Sequence, residues 1–106
     1  MIITTTETVP GHEITEVLDI ARGSTIRARH VGRDFMAGLK NLVGGEIKEY
    51  TKLLALAREE AIDRMIYDAE QLGADAVVNV RFNTSAVMQA SSEILAYGTA
   101  VKIKKK

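Results

Sequence analysis

The chain has 106 residues, 46% of them apolar and 26% charged, with no cysteine; this fits one globular domain spanning 1–106 and excludes disulfides and thiolate metal sites. Its 14 basic residues balance 14 acidic ones, so nucleic acid is not an expected partner, because phosphate binding calls for a net basic face. No apolar run approaches the roughly 18 residues of a membrane span. The start "MIITTTETVPGHE" lacks the basic n-region of a signal peptide, and the expected location is cytoplasmic.

In chain order, the β-branched run "IITTT" (2–6) predicts a short strand, and Pro10-Gly11 predicts a turn after it. "ITEVLDIARGSTI" (14–26) is again β-rich, and Gly23 within it points to a bulge or a close backbone approach. In "GRDFMAGLKNLVGGE" the period changes: Phe35, Leu39 and Leu42 share one face of a short helix, which Gly44-Gly45 ends.

From 46 to 72, Ile47, Tyr50, Leu54, Ala57, Ala61, Met65, Ala69 and Leu72 recur at spacings of three and four. They predict an amphipathic helix about 40 Å long at 1.5 Å per residue. Glu60, Arg64 and Asp68 make an i, i+4 charge ladder on another side. A second apolar stripe (Leu53, Leu56, Ile62, Ile66) exceeds what one small sheet needs, and Gly73 is placed as a left-handed cap.

Two strands follow. Strict alternation in the first sends Ala76, Val78, Val80 and Phe82 to one face and Val77, Asn79, Arg81 and Asn83 to the other. Residues 84–92 connect the two strands or extend their hairpin. In "SEILAYGTAVKI", Leu95, Tyr97, Thr99, Val101 and Ile103 share a face, opposite a small-residue column of Ile94, Ala96, Gly98 and Ala100. The closing "KIKKK" reads as a solvated strand end. The order predicts a two-layer α+β domain, a mostly antiparallel sheet with one short and one long helix on one face. Apolar groups on both faces of the 76–83 strand raise the question of what covers the second face, and other copies of the same chain are the expected answer.

The segments "TTTETVPGHEI", "GRDFMAGLKNLVGGE", "EYTKLLALAREEAIDRM", "LGADAVVNVRFNTS" and "EILAYGTAV" occur in an order that resembles the YbjQ family of small, uncharacterised proteins. The resemblance covers essentially the whole chain. It implies dodecin-like α+β subunits, assembly as ring-shaped homopentamers, and a heavy-metal-binding label.

Candidate chemistry is sparse. His12 and His30 are the only histidines, and a metal ion, the one cofactor left open, would need carboxylates or symmetry copies to complete its shell. Gly44-Gly45 opens the long helix and offers a weak anion site at its free N–H groups. Arg81 on an apolar strand calls for an acceptor, because an unpaired buried charge costs several kcal/mol. Arg33, Asp34 and Glu93 are the residues expected to share a ligand or interface network with it. The motifs G-x-S-x-G, H-E-x-x-H and G-x-G-x-x-G are absent. The favoured function is therefore a non-enzymatic homo-oligomeric binding or scaffold protein for a metal or small anion. An enzyme with a site formed between subunits is the alternative.

Overall fold

The computed structural model describes residues 1–26, 45–88 and 91–106. The short helix expected over 35–42 lies outside them. Among the described residues there are four strands and one helix: β1 (Ile2–Ile3), β2 (His12–Ile26), α1 (Gly45–Gln71), β3 (Ala76–Met88) and β4 (Ser91–Lys105). The sheet runs β1-β3-β4-β2, antiparallel except where β1 meets β3. The helix lies across β2 and β4 and barely reaches β3. This is the expected two-layer α+β arrangement.

Small side chains set the distance between the layers. Ala57, Ala61, Met65 and Ala69, spaced one turn apart on α1, are wholly buried against Ala21, Ala96 and Ala100. Gly23 lies directly beneath: a Cβ there would come 2.3 Å from the Met65 nitrogen and 2.5 Å from the Ala61 oxygen. The close approach expected at this glycine is therefore met by helix backbone. The helix ends as its sequence indicates. Gly73 takes φ +80°, its N–H donates to Glu70 O at 3.0 Å, and the Ala74 N–H donates to Ala69 O at 3.1 Å. That pair of bonds is a Schellman cap.

Two expectations are corrected. Only Ile2–Ile3 of the first run is strand. Beyond it the threonines compete for the backbone: the Thr6 N–H donates to Thr4 Oγ1 at 3.2 Å, and the Thr6 hydroxyl donates to Thr8 O at 2.6 Å. The second correction concerns the faces of β3. Val78 pairs with Thr99 but Arg81 with Tyr97, so one extra residue sits between them, and Asn79 absorbs it with φ 55°. This bulge inverts the alternation. Val77 and Val80 face the helix, whereas Ala76 and Val78 face away, together with Arg81 and Asn83, by their pairing with Tyr97 and Leu95. Gly98 lies opposite the bulge, and a Cβ on it would come 2.6 Å from Val77 Cγ1.

The alternation expected for β4 holds, and it defines a second, smaller apolar cluster on the sheet face away from α1. Val9 packs there over Ala76, Val78 and Val101, flanked by Ile14 and Ile103. A turn at Pro10-Gly11 carries Val9 into place, with the His12 N–H donating to Val9 O at 3.0 Å and Gly11 at φ +77°. Val9 covers one end of this outer face; further along, Val17 (66% exposed), Ile20 (53%) and Tyr97 (37%) stand in water.

Candidate functional site

The open part of the outer face carries two arginines and a tyrosine in one row. Strand register puts Arg22 of β2 beside Tyr97 of β4, and Tyr97 beside Arg81 of β3. One cross-strand row thus carries a tyrosine between two arginines, on strands about 4.8 Å apart. All three residues are exposed. The next row toward Val9 is Ile20, Thr99 and Val78, and the row on the other side is Ser24, Leu95 and Asn83.

Arg81 Nη1 donates to Thr5 O at 3.0 Å and to Val80 O at 2.8 Å. Its acceptors among the described residues are therefore backbone carbonyls, not the carboxylate expected from sequence. These bonds tie the threonine-rich segment to the bulge. The same segment accepts from the bulge backbone, the Asn79 N–H to Thr6 O and the Val80 N–H to Thr4 O, both at 3.0 Å. Glu93, expected to share a network with Arg81, pairs with Ser85, four residues along β3. At about 3.3 Å per residue that is roughly 13 Å away, too far for an ion pair. Arg33 and Asp34 lie outside the described residues.

Arg22 serves the fold through its backbone. Its N–H, on the free edge of β2, donates to Asp68 Oδ2 at 3.0 Å, and Arg64 of the helix donates to Ser24 O on the same edge. The i, i+4 ladder expected along α1 thus sends Arg64 and Asp68 to the sheet, where they satisfy backbone groups that an edge strand would leave open. The Arg22 guanidinium remains exposed on the outer face. Neither Arg22 nor Tyr97 is a candidate on sequence alone, because nothing local indicates which residues of β2 and β4 meet.

The remaining candidates stay apart. His12 is half-buried at the start of β2, with Nδ1 3.0 Å from Pro10 O. A carbonyl can only accept, so the neutral ring carries its proton on Nδ1 and leaves Nε2 as the lone-pair nitrogen. His30 lies outside the described residues. Among those described, no three His, Asp or Glu side chains converge to hold a metal ion. Gly45 is the first residue of α1; Gly44 lies outside the described residues. No described helix is long and apolar enough to cross a membrane.

A family model, YbjQ, described as "Putative heavy-metal-binding", matches residues 1–104. The chain belongs to the YbjQ family. Relatives named UPF0145 protein share its full length: one from Methanosarcina acetivorans is 65% identical over 97% of each chain. Another from Archaeoglobus fulgidus is 62% identical over 98% of this chain and 96% of its own. A third, from Thermosipho africanus, is 58% identical over 99% of this chain and 97% of its own. A solved structure of a protein of unknown function from Pediococcus pentosaceus, assigned to the DUF74 family, is similar in fold. It has a TM-score of 0.64 at 18% identity and covers 98% of each chain. The YbjQ label concerns metal, whereas the row centred on Tyr97 of the outer face carries two arginines.

Proposed function

We propose that this YbjQ chain is a subunit of a cytoplasmic, non-enzymatic homo-oligomer that acts as a binding or scaffold protein. The observation that carries the reading is apolar surface left in water on both layers. Val17, Ile20 and Tyr97 protrude from the sheet, while Leu56 (59% exposed) and Tyr67 (65%) protrude from the helix. Single exposed apolar residues are ordinary, but neighbouring ones on a face with polar flanks mark an interaction surface. Shape supports the same reading. The Cα radius of gyration is 17.0 Å, against about 13 Å for a compact domain of this length. The expected assembly is a pentamer, as the family resemblance implies.

The ligand, a metal ion or small anion, is held by residues from more than one subunit. Symmetry multiplies each donor, so His12 and the carboxylates of neighbouring copies can complete a shell that one chain does not. Light scattering on tag-free protein across the micromolar range tests the assembly. A mass near five chains is the expected result, and a clean monomer throughout that range overturns the reading.

A further inference from the structure

The helix surface turned away from the sheet differs in charge from the sheet surface turned away from the helix. On α1, Leu56, Glu59, Asp63, Tyr67 and Glu70 are exposed and recur at spacings of three and four, forming one stripe opposite the buried Ala57-Ala61-Met65-Ala69 stripe. Two apolar side chains are thus set among three carboxylates, and Arg64 is drawn off toward Ser24 on β2. The open sheet face offers the reverse: Val17, Ile20 and Tyr97 set among the guanidinium groups of Arg22 and Arg81. On that face Glu93 is four residues along the strand from Tyr97, two rows removed from both arginines.

From this complementarity we infer that the outer stripe of α1 on one copy docks on the open sheet face of the next copy. The inference rests on the homo-oligomeric reading above and specifies its interface. Apolar side chains meet at the centre, and Glu59, Asp63 and Glu70 approach Arg22 and Arg81 at the rim, where charge complementarity governs register and partner choice. Each face would meet its own kind poorly, since two basic sheet faces repel each other and so do two acidic helix stripes. The contact is therefore heterologous, head to tail; such a contact builds a ring where the rotation between copies closes and an open filament where it does not. A two-fold dimer would need the helix stripe and the open sheet face within one patch, whereas they lie on opposite sides of this domain.

Charge reversal tests this directly. One variant reverses the helix stripe (Glu59→Lys with Asp63→Lys), a second reverses the sheet (Arg22→Glu with Arg81→Glu), and a third combines all four changes. Arg81 also bonds Thr5, so Arg22→Glu alone serves as a second sheet variant, and circular dichroism verifies folding in each. Sedimentation across a concentration series gives the midpoint of dissociation. The helix and sheet reversals should each raise that midpoint at least tenfold, and the combined chain should return to within about threefold of wild type. A helix reversal that leaves the midpoint unchanged overturns this interface while leaving the oligomer intact. Failure of the combined chain to recover likewise overturns it. A wild type that is monomeric throughout overturns the homo-oligomeric reading itself, together with this inference.

Discussion

Replacing Gly23 with alanine places a methyl group where the helix backbone already is. The added Cβ would lie 2.3 Å from Met65 N, 2.5 Å from Ala61 O and 2.6 Å from the Arg64 carbonyl carbon. All three are backbone atoms, so no rotamer change can clear the space, and ordinary contact distance requires α1 to retreat by about 1 Å. A gap of that size forfeits a quarter to a half of the dispersion attraction along the facing surfaces. Here those surfaces include the whole Ala57-Ala61-Met65-Ala69 stripe. Overpacking typically costs 1–3 kcal/mol, and an obstacle made of backbone belongs at the upper end, about 3 kcal/mol. That is a large part of the roughly 5–15 kcal/mol a domain has. In a urea titration at fixed protein concentration, with a slope of about 2 kcal/mol/M, the midpoint should fall by about 1.5 M. Gly11→Ala is the control: nothing lies within 4 Å of its Cβ, and its φ of +77° should cost only about 1–2 kcal/mol of backbone strain. A Gly23→Ala midpoint within about 0.3 M of wild type would refute the contact between helix backbone and β2.

Two further substitutions probe single features. Thr25 is 4% exposed, and its hydroxyl has no hydrogen-bond partner among the described residues. Thr25→Val should therefore match wild type or gain up to about 1 kcal/mol in the same titration, and a loss above about 1 kcal/mol would show that the hydroxyl is bonded. At Asn79, where φ is 55°, valine should cost about 1–2 kcal/mol while glycine costs at most a few tenths. Equal stability of the two variants would mean that the bulge does not hold.

The helical layer was largely legible in the sequence because its signals are local. A spacing of three and four from Ala57 to Ala69, closed by Gly73, is enough to place a helix, its buried face and its cap. The alternation along β4 was readable for the same reason. The β3 bulge was not, because asparagine rather than glycine takes the left-handed conformation and nothing in "VVNVRF" interrupts the alternation. One inserted residue then moved Val80 to the helix side and Arg81 to the open side. Arg81 stands out in the sequence as a charge on an apolar strand, but its described acceptors are the carbonyls of Thr5 and Val80. The Arg22-Tyr97-Arg81 row required the register between β2 and β4, which depends on residues far apart in the chain. Leu95, Tyr97 and Thr99 on one face of β4 were the available hint that this side of the sheet is not fully covered.

The pairing of β2 with β4 also bears on how the chain reaches its fold. His12 meets Lys105, nearly the whole length of the chain away, whereas Met88 meets Ser91 across a short connection. Closing a long loop costs entropy before the contacts it enables can repay it. The β3–β4 hairpin and α1 can form from neighbouring residues, so β2 is expected to join last. Until it does, one side of β4 offers unpaired backbone groups along its length and the alanine stripe of α1 has no floor of Ala21 and Gly23 to rest on. Synthesis makes β2 before α1, β3 and β4, so a strand made early waits for a partner made much later.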